Sequence, residues 1–177
     1  MLLFWERGYE GTSMADLTQA MGVNPSSIYA AFGDKHALFS LAVKRYIKSR
    51  AQYAMKALQQ PTLKRVIRAL FDNTVAFLTT PGHPPNCMTL AGAMGCSVDA
   101  APARNLLTEI RIQNQAAMRH RLLKARKRGE LPKNINVDDY TRYLSSILAG
   151  LSVQAANGST KAQLKRTAQM ALRHLGY

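Results

Sequence analysis

The sequence has few cysteines and no long hydrophobic run. Its 2 cysteines in 177 residues, Cys87 and Cys96, are too few for a disulfide scaffold and lack the C-x-x-C spacing of a redox or zinc site. No apolar run approaches the roughly 18 residues that a membrane span needs. The apolar start, Met1–Trp5, lacks the basic residues that open a signal peptide. We therefore expect a reduced, cytoplasmic protein.

Strand patterns are almost absent, because no stretch alternates apolar and polar residues under Val, Ile or Thr enrichment. Helical spacing of apolar residues recurs along most of the chain. With 47% hydrophobic residues, a chain of this length can bury a core in one or two small domains. The sequence predicts an all-α fold.

Catalytic motifs are also missing. None of the 4 histidines has a Glu at the spacing of a metal-binding helix, and the sequence contains no G-x-S-x-G, P-loop or G-x-G-x-x-G. We expect no enzyme, no cofactor and no metal site. The alternative is a metal site with soft ligands formed by His83, Cys87 and Cys96, but these three residues match no metal-binding motif.

Acidic residues are scarce: 24 Lys and Arg stand against 10 Asp and Glu, which gives a net charge of +14 and a pI near 10.2. Such an excess predicts a polyanionic partner, which is nucleic acid, an anionic membrane surface or an acidic ligand. Residues 1–50 contain six basic and four acidic side chains, so most of the excess lies elsewhere.

Short helices are predicted at the beginning of the chain. Ser13 and Asp16 form a capping pair for a helix to Met21, and Gly22 ends that helix. Asn24 caps a two-turn helix over Pro25–Phe32. After Gly33, Asp34 caps a longer helix that we expect to run to Gln60. Two short helices joined by a three-residue turn are typical of a helix-turn-helix DNA reader, although helical bundles contain similar corners.

The second short helix has a surface that suits DNA. With Ile28 and Phe32 buried, the helix exposes small and hydroxyl-bearing side chains that fit a major groove: Ser26, Ser27, Tyr29 and Ala30. Tyr29 can bond a phosphate oxygen, and Lys35 offers a second backbone contact. Each residue also has an interpretation without DNA. Tyr29 is then a half-buried packing residue, Lys35 is a solvated lysine at a helix end, and the two serines only help the helix to start.

The segment over residues 8–39, GYEGTSMADLTQAMGVNPSSIYAAFGDKHALF, resembles the DNA-binding domain of the tetracycline-repressor (TetR) family of bacterial regulators. The matching positions include Phe4, Gly8, Gly22-Val23 and Leu38. The resemblance implies a homodimer, usually a repressor, which releases its operator when a small molecule binds the C-terminal domain. Family members have a longer, basic first helix, so we expect that part of a backbone contact is missing or that the sequence begins at an internal Met.

The resemblance also implies roles for single residues. Ser13 matches a phosphate contact at the start of the second helix, and Ala15 stands where some members read a base with Arg. The full set of residues predicted to bind DNA is Thr12, Ser13, Pro25, Ser26, Ser27, Tyr29, Ala30 and Lys35.

The second half of the chain predicts a helical bundle. Thr62 caps a strongly periodic helix, residues 81–86 form a loop, and a small-residue helix follows over about 87–95. Two further helices are expected at about 137–156 and 161–175. In the family such terminal helices pair across a two-fold axis, although an intramolecular core gives the same stripes. The candidate dimer residues are Leu144, Leu148, Leu151, Leu164, Leu172 and Leu175.

A long helix over 103–128 has two polar residues, Asn114 and Arg121, on the side predicted to be apolar. A buried Arg needs a partner, so we expect an effector site with a carboxylate or phosphate ligand; the alternative is a structural bridge. Some relatives have a cysteine after the preceding loop, which makes Cys87 a candidate sensor thiol, although a buried inert thiol is the default. The same helix carries four arginines on one arc of its surface: Arg104, Arg111, Arg119 and Arg126. This arc is either a solvated face or a second surface that binds DNA or an acidic partner.

The sequence therefore predicts a helix-turn-helix domain of three helices, the first one short, over 1–48, and a helical effector-binding and dimerisation domain over 49–177. We expect a homodimeric repressor that binds a palindromic operator. The alternative is an effector-independent helical protein that binds DNA or acidic partners through its net charge.

Overall fold

The computed structural model describes residues 1–91 and 97–176, and the regular secondary structure in these ranges is entirely helical. This confirms the all-α prediction. The helices of the described residues are α1 (Leu2–Arg7), α2 (Met14–Met21), α3 (Pro25–Phe32), α4 (Lys35–Ser49), α5 (Gln52–Leu58), α6 (Leu63–Leu78), α7 (Met88–Ala91), α8 (Ala101–Lys127), α9 (Val137–Ala156) and α10 (Lys161–His174).

The chain forms two compact units. The first consists of residues 1–50 and 87–110. Its core is aromatic: the rings of Phe4 and Phe39 meet edge to face with centroids 5.1 Å apart, and those of Trp5 and Tyr46 do so at 4.8 Å. These four side chains are almost completely buried, so the short α1 is fixed by its packing against α4.

The second unit consists of residues 51–86 and 111–177. Its central helix is α6, which begins at the predicted cap because the Thr62 hydroxyl accepts from the N–H of Arg65. The predicted helical periodicity is confirmed, since the residues that recur at helical spacing are all buried: Leu63, Val66, Ile67, Leu70, Thr74 and Phe77. Helices α9 and α10 pack against α6 and against each other.

One predicted helix is divided. We expected a single helix from Asp34 to Gln60, whereas α4 ends at Ser49 and α5 begins at Gln52. No Gly or Pro marks the break. It coincides with the boundary between the two units, so α4 and α5 each pack within a different core, and this packing overrides the helical propensity of the segment.

The structure describes the loop and part of the helix predicted after α6. The loop over 81–86 is confirmed, and the following helix is described over Met88–Ala91; the rest of its predicted length, with Cys96, lies outside the described residues.

None of the helices described is long and apolar enough to cross a membrane.

Candidate nucleic-acid interface

The helix-turn-helix corner is built from local signals in the sequence. Gly22 ends α2 in a left-handed conformation (φ 66°), which a residue without a Cβ adopts at little cost. Two residues later, the Asn24 carboxamide accepts from the backbone N–H of Ser27, and Pro25 occupies the first position of α3. The predicted three-residue turn and both caps are confirmed. They set the direction in which α3 leaves α2.

Helix α3 presents the surface predicted for DNA. Ile28 is buried as predicted, whereas Phe32 is only half-buried. The candidate residues lie on the exposed side: Pro25, Ser26, Ser27, Tyr29 and Ala30. The Tyr29 side chain is 49% exposed. The Ser27 hydroxyl donates to Asn24 Oδ1 at 2.9 Å, so it already serves the cap. The Ser26 hydroxyl makes no hydrogen bond within the described parts of the chain and is the freer of the two serines to read a base.

The structure gives Thr12 a role inside the protein rather than on DNA. Its side chain is 0% exposed, and its hydroxyl donates to the carbonyl oxygen of Gly8 at 2.8 Å. A buried hydroxyl with an internal acceptor cannot reach a phosphate without breaking that bond. Thr12 therefore ties the end of α1 to the start of α2, which corrects its assignment as a DNA contact.

Ser13 lies on the surface and forms the predicted capping box with Asp16. The Asp16 N–H donates to Ser13 Oγ at 3.0 Å, and the Ser13 N–H donates to Asp16 Oδ2 at 2.7 Å. The hydrogen bonds from the Ser13 hydroxyl and N–H, followed by the nearby Arg7 guanidinium, lower the pKa of the Asp16 carboxyl. The box fixes the first turn of α2, where a phosphate would meet free backbone N–H groups.

Lys35 lies at the start of α4 beside an aromatic ring that the sequence pattern does not indicate. Its ammonium stands over the Tyr9 ring, 4.4 Å from the centroid. Partial burial lowers the pKa of Lys35, partly offset by the carboxylates of Glu10 and Asp16. Burial, and then the charge of Asp34, raise the pKa of Tyr9. The available signal was the aromatic residue after Gly8, but it does not reveal a contact 26 residues away in sequence.

The two candidate effector residues of α8 differ in burial. Asn114 is exposed, contrary to its predicted place on the apolar side of α8. Arg121 is buried as predicted, with 8% of its surface exposed, and its Nη2 donates to the carbonyl oxygens of Gln60 (3.1 Å) and Pro61 (3.3 Å). Its Nη1 is buried and has no hydrogen-bond partner among the described residues. Arg121 therefore bridges α8 to the α5–α6 turn.

Cys87 precedes α7 in the first unit. Its Sγ lies 3.1 Å from the hydroxyl oxygen of Thr89 and accepts from the Tyr46 hydroxyl at 3.6 Å. The side chain is half-buried. These contacts place the thiol among polar groups and leave it partly accessible.

Most of the leucines predicted for the dimer interface are buried in the core of their own chain. Leu144, Leu151, Leu164 and Leu172 are buried in the second unit, and Leu148 and Leu175 are half-buried. A side chain that its own chain covers offers little surface to a partner, so the four buried leucines are core residues in this structure, and a contact through Leu148 and Leu175 stays a prediction. The large apolar side chains exposed on these helices are Tyr143, Val153 and Met170.

The predicted arginine arc of α8 is partly neutralised. Arg119, a member of the arc, forms an ion pair with Asp138 at the start of α9. A separate pair within α9 joins Arg142 and Asp139 at 3.6 Å. The pKa of Asp138 is lowered by its hydrogen bond from Arg119. Beside this pair, α8 and α9 border an open groove of about 400 Å³ that also contains the exposed Ile112.

Two family models cover most of the chain. A model described as bacterial regulatory proteins, tetR family, matches residues 1–42, and a model of the tetracyclin repressor-like C-terminal domain matches residues 62–171.

The proteins of known name that are similar to this chain are transcriptional regulators. The HTH-type transcriptional repressor ComR of Escherichia coli is 28% identical, over 98% of this chain and 83% of ComR. The uncharacterized HTH-type transcriptional regulator YezE of Bacillus subtilis is 33% identical, over 81% of this chain and 75% of YezE. A cysteine mutant of the TetR family regulator CifR, solved with 26-base-pair operator DNA, superposes with a TM-score of 0.91 at 31% identity, over 97% of this chain and 91% of CifR.

Proposed function

We propose that this chain, which belongs to the TetR family of bacterial transcriptional regulators, is a repressor that binds a palindromic operator as a homodimer and releases it when a small molecule binds. Three kinds of observation support the proposal: the exposed surface of α3, the uncovered apolar side chains of α9 and α10, and the buried cation on α8.

The observation that carries DNA binding is the geometry of α3. A two-turn helix that turns Ile28 inward, half-buries Phe32 and exposes its remaining residues has the size and polarity to enter a major groove. Ser26 and Ala30 face bases in this proposal, while Tyr29 and Lys35 bond phosphates. CifR, with its similar fold, was solved with operator DNA.

A titration of the DNA upstream of the chain's own gene tests this step. Tyr29→Phe removes only the hydroxyl, and Tyr29→Ala removes the whole side chain. We expect both variants to bind operator and random duplex more weakly by similar factors, because a phosphate contact carries no sequence information. Ser26→Ala should change base preference instead. Wild-type protein that binds operator and random duplex equally would contradict recognition by α3.

A dimer surface is proposed on the outer face of α9 and α10. The helical period places Tyr143, Gly150 and Val153 within about a quarter of the α9 surface, and Met170 is exposed on α10. Gly150 is unusual because it lies inside a helix with open space where a Cβ would be, although Gly costs about 1 kcal/mol relative to Ala there. Close approach of a partner helix would explain why this position has a residue without a side chain.

The effector is proposed to be an anion that engages Arg121. Its unpaired Nη1 is a buried donor, and a carboxylate or phosphate is the acceptor that satisfies it best. A thermal-shift screen of small acids should give hits for wild type and lose them in Arg121→Met. Asn114→Ala should leave the hits unchanged, since Asn114 is exposed. Hits that are all cationic, or acids that stabilise Arg121→Met equally, would show that Arg121 is only a structural bridge.

Cys87 is proposed as a second, separate point of effector action through its thiol. Alkylation of wild type should weaken operator binding, and Cys87→Ser should resist that effect. Alkylation that modifies Cys87 without changing operator affinity would make the thiol structural.

A further inference from the structure

The positive charge of the chain is concentrated in its second compact unit. By sequence, the first unit has 7 basic and 6 acidic residues, a net charge of +1, and the second has 17 basic and 4 acidic residues, a net charge of +13. The proposed operator contacts lie in the first unit. They therefore leave almost all of the excess charge without a role, although charge of this size attracts polyanions strongly.

Eight of the 17 basic residues of the second unit lie where the end of α8 meets the α5–α6 turn. Arg121 Nη2 and Arg128 Nη1 both donate to the carbonyl oxygen of Pro61, each at 3.3 Å. The Glu130 carboxylate accepts from the backbone N–H of Leu63, the first residue of α6. These bonds hold the last turns of α8 beside the first turn of α6.

We call this surface the basic end. Residues 60–65 and 121–133 together contain eight basic residues and one acidic residue, Glu130, whose carboxylate is engaged by a backbone N–H. None of the ion pairs found among the described residues involves an exposed cation of the basic end. Those exposed cations are Lys64, Arg65, Lys124, Lys127, Arg128 and Lys133.

Arg121 adds charge from beneath this surface. Its guanidinium is buried and held by neutral carbonyl groups, so no carboxylate contact in the described structure neutralises it. A buried cation with neutral partners is less screened by solvent than an exposed one. The basic end is therefore more positive than its exposed residues alone would make it.

We propose that the basic end is a second binding surface for duplex DNA, which contacts phosphates and does not read sequence. Lys and Arg side chains at the ends of two neighbouring helices are suited to bind a phosphate backbone by releasing its counterions. The surface supplies affinity for any duplex, and α3 supplies the preference for the operator.

The chemistry of the basic end favours DNA over a lipid surface. Helices that adsorb to membranes insert large apolar side chains between the headgroups. Among the described residues, no exposed large hydrophobic side chain lies within 60–65 or 121–133. The basic end offers charge without such an anchor, as a phosphate-binding surface does.

The test is the salt dependence of binding to a short random-sequence duplex, measured by fluorescence anisotropy on the full chain. Lys124→Gln/Lys127→Gln removes two exposed charges from the basic end. The matched control, Lys161→Gln/Lys165→Gln, removes two exposed lysines from α10. Circular dichroism and sedimentation establish that both variants keep the wild-type fold and assembly.

We expect the slope of log K against log salt to become shallower by about 2 in the basic-end variant, with affinity at low salt at least about tenfold weaker. The control should keep the wild-type slope. Equal slopes in both variants would overturn the proposal, and operator preference in the same proteins would still report on α3 separately. Tighter binding to phosphatidylserine vesicles or polyglutamate than to duplex, lost in the basic-end variant, would also overturn it, in favour of a membrane or an acidic protein.

Discussion

The Lys35 ammonium lies 4.4 Å from the centroid of the Tyr9 ring, so a residue of the α1–α2 loop holds the cation at the start of α4. A flexible lysine loses side-chain entropy when it meets a phosphate, and a ring that already orders it lowers that cost. Tyr9 is thus a positioning residue for the phosphate contact that we propose for Lys35.

The first prediction separates the ring of Tyr9 from its hydroxyl. Tyr9→Phe should keep DNA affinity near wild type, whereas Tyr9→Leu should weaken it by about two- to fivefold, the value of an exposed cation–π contact. Lys35→Met should remove the contact and reduce the salt slope by about 1. Binding titrations at several salt concentrations check this. Equal losses in Tyr9→Phe and Tyr9→Leu would assign the effect to the hydroxyl.

The second prediction concerns Thr12. Thr12→Val keeps the shape of the side chain but leaves the partly buried Gly8 carbonyl without its 2.8 Å donor, which should lower the free energy of unfolding by about 0.5–1.5 kcal/mol. Well below the unfolding temperature, DNA affinity should stay unchanged. Thermal and urea unfolding measure the first effect and titration the second. A variant of normal stability that binds DNA poorly would return Thr12 to the DNA interface.

The third prediction tests the dimer surface that we propose on α9 and α10. Val153→Glu and Met170→Glu place charges on side chains that the chain leaves exposed, so they should give folded monomers with weak operator binding. Ile112→Glu, at a 61% exposed position on α8, is the control that should remain dimeric. Charges at the buried Leu144 or Leu172 should instead unfold the chain. Sedimentation velocity distinguishes these results, and dimeric Val153→Glu and Met170→Glu would exclude this face.

The fourth prediction concerns the capping box. Because its pKa is lowered in the folded chain, Asp16 stabilises the fold at pH values above its ordinary pKa of 3.8, and this contribution is lost as the pH falls through the lower folded value. Ser13→Ala removes the largest cause, so the pKa of the Asp16 carboxyl should rise towards 3.8. NMR titration of that carboxyl measures the shift. The same pKa in wild type and Ser13→Ala would show that the hydroxyl does not act on Asp16.

The sequence predicts the local features of this fold well. The caps at Ser13, Asn24 and Asp34 and the left-handed Gly22 are each set by residues within a few positions of one another, and all are confirmed. The break between α4 and α5 has no such local signal, because it follows from the packing of two separate cores.

The candidate sites show the same difference. A helical stripe cannot distinguish a leucine that its own chain covers from one that a partner covers, so Leu144 and Leu172 were assigned to the dimer surface. The acceptors of Arg121 are backbone carbonyls some 60 residues away, and carbonyl groups have no sequence signature. Exposure of α3 was predictable because its one buried position, Ile28, follows from the helical period.

The most direct test of the account is selection of binding sites from random duplex by the purified full chain. A dimer that reads DNA with two α3 helices should recover an inverted repeat whose half-site centres are about 10–10.5 base pairs, or a multiple of that, apart. Ser26→Ala should alter bases within each half-site and keep the spacing. Recovery of duplexes with no common inverted repeat, bound as tightly as any selected sequence, would contradict operator recognition by α3.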